Sequence, residues 1–216
     1  MSTITAQSAI QKVTETLYAP FRYSGVGIPE GVQVSEPGWI YRDTNTGLLW
    51  FKKTGTAATG WKALSGTLFL DTTQTGNIGT GEDTLQSSSL PAGILKDNGD
   101  SIRLLVVGTF ANNGNARTLK LKFGSATILQ RSSTNGSGAA IPWQIEATII
   151  RTGAATQKLV VRYICWGDLA GNESLTYTTA TQDLTAAVTL AVTGDATATD
   201  DIVKQMFQVE LMPSPS

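Results

Sequence analysis

From residue 66 onward, apolar and polar residues alternate in short runs broken by turn-forming clusters. The period of two is plain in Leu119-Lys120-Leu121-Lys122-Phe123 and in Leu159-Val160-Val161-Arg162-Tyr163-Ile164-Cys165-Trp166, the spacing of side chains on a strand with one buried face. Strands are predicted over 68–71, 84–90, 101–110, 118–123, 126–131, 143–151, 158–166, 174–181, 187–192 and 202–212. The separators, such as Ala111-Asn112-Asn113-Gly114-Asn115 and Ser132-Ser133-Thr134-Asn135-Gly136-Ser137-Gly138, carry turn chemistry. Many short strands of even spacing predict an antiparallel sandwich, and eight to ten of them suit a jelly roll. Strands do not alternate with helices, and neither a Gly-rich strand-to-helix turn nor a GxxxxGK[ST] sequence occurs, which excludes dinucleotide and P-loop folds.

Ahead of this region the pattern changes twice. Ile10, Val13 and Leu17 recur at helical spacing, with Thr5 or Ser8 available as a cap and Pro20 as a stop. A helix of roughly 12 residues is marginal alone, so its stripe needs a partner: its own domain, a three-chain bundle or a neighbouring protein. Residues 21–37 hold Pro29, Pro37 and several glycines with little periodicity, which reads as an extended arm. Three aromatic segments follow, 38–42, 48–53 and 60–64, with Trp39, Trp50 and Trp61 eleven residues apart. A three-stranded meander produces that spacing. Hairpins centred on Asn45 and between Gly55 and Thr56 set Ile40 opposite Trp50 and Trp50 opposite Trp61, giving an apolar face too large for so small a module to bury alone. The expected organisation is a helix and arm over 1–37, a Trp-rich module over 38–65 and a jelly roll over 66–216.

Composition narrows the chemistry. The 216 residues contain no His and one Cys, and charged residues make up 15% with a net charge of −1. Imidazole metal sites, Ser-His-Asp triads, zinc fingers and intrachain disulfides are therefore excluded. The scattered Lys and Arg form no basic stripe for a nucleic-acid backbone. Apolar runs such as Leu104-Leu105-Val106-Val107 are too short to cross a bilayer, and the first residues lack the pattern of a cleaved signal. Synthesis in a reducing cytoplasm, with no membrane insertion, is expected.

Few residues invite a catalytic reading. Cys165 lies in an apolar strand with no His to activate it, so an inert core thiol is expected. Asp97 with Asp100, Glu82 with Asp83, and the group Asp195, Asp200 and Asp201 fall in turn-like stretches where charge usually means solvation. The last group matches no calcium loop. Lys52-Lys53 and Lys120/Lys122 read as solvent-facing strand positions. No enzymatic activity and no cofactor are expected.

The segment GWIYRDTNTGLLWFKKTGTAATGWKAL (38–64) resembles the short tryptophan-bearing module of tail fibres, tail tips and head fibres of tailed bacteriophages. LQSSSLPAGILKDNGDSIRLLVVGTFANNGNARTLKLKFGSATI (85–128) is similar to the opening strands of trimeric jelly rolls in phage fibres and spikes, which share their architecture with tumour-necrosis-factor-like trimers. The resemblance implies a homotrimer on the virion surface, a head fibre or decoration spike. A capsid or tail protein would hold residues 1–37 through Ile10, Val13, Leu17, Tyr18 and Phe21. Trp39, Ile40, Trp50 and Trp61 would pack the neck, and Asn112, Asn113, Asn115 and Asn135 would display recognition groups on distal loops. The alternative is a receptor-binding tail protein that takes a host surface glycan or protein on those loops.

Overall fold

The computed structural model describes residues 22–134, 138–166 and 173–214. The helical pattern carrying Ile10, Val13, Leu17, Tyr18 and Phe21 lies outside the described residues, as does Asn135. The chain divides into two units, 1–64 and 65–216. Among the described residues the secondary structure is all β.

In the first unit, β1 (Arg22–Gly25), β2 (Ile40–Asp43), β3 (Leu49–Lys52) and β4 (Trp61–Ala63) form one sheet in that order, with β1 parallel to β2 and the others antiparallel. The meander is as expected, but its register is not. Tyr41 faces Trp50, Trp50 faces Ala63 and Trp61 faces Lys52, while Ile40 faces Phe51. The first turn explains the slip between β2 and β3. Asp43 accepts hydrogen bonds from Asn45 N and Thr46 Oγ1 at 2.9 and 2.6 Å, and Asp43 N pairs with Leu48 O. That moves the turn centre by half a residue, and a one-residue slip in register sends Ile40 to the opposite face.

Trp50 and Trp61 are each 1% exposed. Trp61 is held by residues of the same unit. Residues within 21–37, expected as an extended arm, bond at the start of the β4 strand of their own unit: Glu30 accepts from Gly60 N and Trp61 N at 3.0 and 2.9 Å, and Trp61 Nε1 donates to Gln33 O at 2.8 Å. Trp39 is half-buried and stacks on Tyr23 with centroids 4.5 Å apart. Lys52 corrects a second expectation. It is fully buried rather than solvent-facing, donating to the carbonyls of Ala57 and Thr59 and lying 5.5 Å over the Trp61 ring. The loop it clamps needs Gly60, at φ +94°, where any Cβ would strike Thr54 O.

The second unit holds β5 (Gly66–Asp71), β6 (Thr75–Gly76), β7 (Gly81–Leu90), β8 (Ser101–Phe110), β9 (Arg117–Phe123), β10 (Ala126–Ser133), β11 (Ile141–Gly153), β12 (Thr156–Cys165), β13 (Glu173–Ala180), β14 (Val188–Ala196) and β15 (Ile202–Met212). One sheet has the order β13-β12-β11-β8-β15-β5, with β6 also on β15; the other has the order β10-β9-β14-β7. All pairings in this unit are antiparallel.

Strict alternation turns one side of each sheet inward. Leu104, Val106, Leu119, Leu121, Ile145, Ala147, Leu159, Val161 and Phe207 all have no exposed surface, and Cys165 is equally buried in β12. Gly108 admits the Trp143 ring, since a Cβ there would come within 2.2 Å of Trp143 Cζ2. Lys204 is the one fully buried lysine of this unit among the described residues; its amino group reaches Asp71 Oδ2 at 2.9 Å, Thr73 O at 2.5 Å and Gln86 Oε1 at 3.3 Å.

Candidate functional site

Strand registers sort the loops of the second unit to two ends. Gly66 and Ile102 both pair with Leu211, so the start of the unit lies beside the end of β15. At the opposite end Phe110 pairs with both Ile141 and Ile202, and Cys165 with Trp143. Residues 111–116 and 197–201, the last residue of β10, the first of β11 and the last of β12 therefore share the end far from residue 65. Ten residues of β8 separate the two ends, roughly 30 Å at strand rise. Of the two stretches named from sequence, Gly138 lies beside the first, since a side chain there would sit 3.4 Å from Asn112 Nδ2.

Asn113 and Asn115 serve the architecture of this end. Asn113 Nδ2 donates to Asp201 Oδ1 at 2.6 Å, and Asn115 Nδ2 to both Asp201 oxygens at 3.2 and 3.0 Å. Ala198 N adds a third donor at 2.9 Å. Asn77, fully buried, ties the same turn from below: Nδ2 donates to Ala198 O at 2.7 Å and Oδ1 accepts from Ile202 N at 2.8 Å. Asp201 has no exposed surface, which corrects the expectation of a solvated turn carboxylate. Burial pushes its carboxyl up, but bonds from Asn113, Asn115, Ala198 and Thr197 outweigh that and hold it below the usual carboxylate range. Those N–H donors engage both carboxylate oxygens. The signal for this knot was present as Asn and Asp in flanking turns, but nothing in the spacing joins residue 77 to residue 198.

The outward faces of the two sheets differ in chemistry. On the four-stranded sheet they carry Glu82, Thr84, Ser87 and Ser89, then Thr118, Lys120 and Lys122, with Gln130 and Ser132 beyond. Glu82 sits between Lys120 (2.6 Å), Lys122 and Thr193 (2.7 Å). Lys120, first, and then Lys122 and Thr193 pull its carboxyl down to about 2. On the other sheet the outward positions include Leu105 and Val107 on β8, Met206 on β15, Ile150 on β11, and Val160, Leu175 and Tyr177 on the outer hairpin. Leu175 is 72% exposed and Tyr177 is 62% exposed, with Val160 paired to Tyr177. Within this apolar field lie the pairs Arg103–Glu146 and Arg162–Glu173, and a shallow depression lined by Arg103, Leu105, Gln208 and Glu210. The apolar positions fall in two groups, Leu105 and Val107 with Met206, and Val160 with Leu175 and Tyr177, separated by Gln144, Glu146 and Thr148 on β11.

No helix among the described residues is long and apolar enough to cross a membrane. A scan against protein-family models gives no match, and neither does a search of curated proteins. Among solved structures, the chain is similar to the CBM2 module of the evolved Dit of Lactobacillus casei BL23 phage J-1, with 11% identity over 72% of this chain and 99% of that one, and a TM-score of 0.40. It is also similar to the VP2 subviral particle of infectious bursal disease virus, with 16% identity over 77% of this chain and 47% of that one, and a TM-score of 0.24. A third is arcelin-5, a lectin-like defence protein of Phaseolus vulgaris, with 7% identity over 88% of this chain and 96% of that one, and a TM-score of 0.26. Likeness at these scores assigns neither a fold family nor an activity.

Proposed function

We propose that the chain is a structural appendage of a bacteriophage particle: a homotrimer held through its amino-terminal segment, with the second unit exposed on the virion surface as a head fibre or decoration spike. The observation that carries the assembly part is the contrast between the outward faces. A Ser-, Thr-, Lys- and Glu-bearing face suits water, whereas Leu105, Val107, Met206, Ile150, Leu175 and Tyr177 suit contact with further copies. Three-fold closure uses up such a face without leaving an open filament.

The strand order supports the jelly-roll reading. The runs β5-β15-β8-β11 in one sheet and β7-β14-β9-β10 in the other follow the strand orders of the two jelly-roll sheets, with β12 and β13 continuing the first beyond β11. The resemblance of residues 38–64 and 85–128 to phage fibre modules supplies the virion setting. A durable particle component also fits a chain with little charge and dense antiparallel pairing. The adjacency of 111–116, Gly138 and 197–201 opposite residue 65 favours a second reading, a receptor-binding tail protein. The inward commitment of the Asn113 and Asn115 amides weighs against those two residues as its ligands.

Native mass spectrometry of the full chain tests the assembly: three copies are expected, and Val107→Glu should give folded monomer with an unchanged β-sheet spectrum. A monomeric wild-type chain at micromolar concentration overturns the trimer. Imaging of particles labelled on this protein separates the settings, since density on capsid facets supports the spike and density at the tail tip supports the receptor-binding reading.

A further inference from the structure

Three Asn-Gly pairs occur in the sequence, at 98–99, 113–114 and 135–136, and the first two lie among the described residues in opposite chemical settings. Asparagine followed by glycine is the pair in which the next backbone nitrogen reaches the side-chain amide carbon most easily, because glycine adds no Cβ in the way. Whether it attacks depends on the freedom of that nitrogen and on the polarisation of the amide.

At the first pair the nitrogen is committed. Gly99 N donates to Arg151 O at 2.9 Å, inside a turn closed by Asp100 N to Asp97 O at 3.0 Å and by Arg151 N to Asp100 O at 2.9 Å. At the second pair the opposite holds. Gly114 is exposed at φ +77°, and among the described residues no acceptor engages its N–H. Asn113 Oδ1 accepts Asn115 N at 3.1 Å, which draws electron density from the amide carbon. Asn113 Nδ2, the leaving nitrogen, points at Asp201 Oδ1, 2.6 Å away.

We propose that Asn113 is a site of spontaneous deamidation, and that the product carboxylate, set against buried Asp201, releases the loops 111–115 and 197–201. Gly114 N gives its proton to solvent base and bonds to Asn113 Cγ. The Cγ–Nδ2 bond breaks, and the side-chain nitrogen leaves as ammonia with a proton from solvent. A cyclic imide remains. Water adds to one of its carbonyls and the corresponding C–N bond breaks, giving aspartate or isoaspartate. Water is consumed, ammonia is released and no electrons are transferred. The consequence is electrostatic: a donor 2.6 Å from Asp201 is replaced by a second anion, and two carboxylates at that distance cannot both stay ionised in place. Ala111 N donates to Asp201 O and Asn115 Nδ2 shares the same carboxylate, so release spreads along the loop.

The test begins with the full chain held in mildly alkaline buffer and mapped by peptide mass spectrometry with isoaspartyl methyltransferase labelling, each Asn-Gly peptide being read separately. Asn113 is expected to convert roughly fivefold or more faster than Asn98, the factor set by freeing one backbone hydrogen bond. Equal rates, or Asn98 converting faster, overturn the assignment. Hydrogen exchange then reads the consequence. Asn113→Asp should raise exchange in 111–115 and 197–201 while the strands stay protected, and Asn113→Asp with Asp201→Asn should bring it back toward wild type by restoring an amide opposite a carboxylate. Unchanged exchange in Asn113→Asp, or no recovery in the double variant, overturns the release.

Discussion

Trp50 and Trp61 are equally buried in the first unit, but only one of them uses its indole nitrogen. Trp61 Nε1 donates to Gln33 O at 2.8 Å, whereas no described residue accepts from Trp50 Nε1. Replacing each by phenylalanine removes the same atoms from the same small core, at a cavity cost of about 1–2 kcal/mol. Trp61→Phe also strands the Gln33 carbonyl on the strap, adding about 1–3 kcal/mol. Trp50→Phe removes a buried N–H that had no acceptor, which offsets part of its cavity cost. The expected order is therefore Trp61→Phe clearly below Trp50→Phe, by about 1–3 kcal/mol. Hydrogen exchange of residues 22–64 in the full chain, followed against urea, measures this without relying on tryptophan emission. Equal losses would refute the reasoning, and a larger loss for Trp50→Phe would show that its nitrogen has a partner that matters more than the strap bond.

Further outcomes are expected elsewhere. Glu82 and Asp71 are each held at about 2, by Lys120 and by Lys204 first of all, against ordinary values of 4.5 and 3.8. Both folded values lie below the unfolded ones, so their stabilisation is complete above about 4.5 and is lost as pH falls toward about 2. Melting points taken across that window should fall, and Glu82→Gln should flatten the slope. Gly108→Ala places a methyl group 2.2 Å from both Trp143 Cζ2 and Val203 O; denaturant titration should show a loss of about 1–3 kcal/mol or more, and an unshifted midpoint would mean that the ring moves aside freely. The buried Cys165 thiol should react with a thiol reagent only as fast as the second unit opens, which a rate independent of denaturant would contradict.

Where a strand buries one face, its pattern was legible. Leu119 to Phe123 and Leu159 to Cys165 announce both their strands and their inward sides, and Ser101–Phe110 was bounded to the residue. What escaped lacks an apolar period. β1 is Arg-Tyr-Ser-Gly, and β6 is two residues that pair with β15 from about 130 positions away. Lys52 and Lys204 carry the most hydrophilic of side chains, and nothing local reveals that carbonyls and an aspartate await them inside. Asp201 reads as solvated from its turn setting alone; its donors come from residues 113, 115 and 198, which only the closed sandwich brings together. The outward apolar face was equally hidden. Val160 and Tyr177 look like ordinary strand residues until their register shows them side by side on the outside.

The placement of β5 has a mechanical consequence. It runs antiparallel to β15 at the edge of its sheet, from Gly66 beside Leu211 to Asp71 beside Phe207, so it starts at the residue-65 end and points toward the opposite loops. A pull between residue 65 and those loops acts along this strand rather than across it. The bonds of the β5–β15 ladder are then sheared together instead of being peeled one after another, the arrangement in which a short strand resists force best.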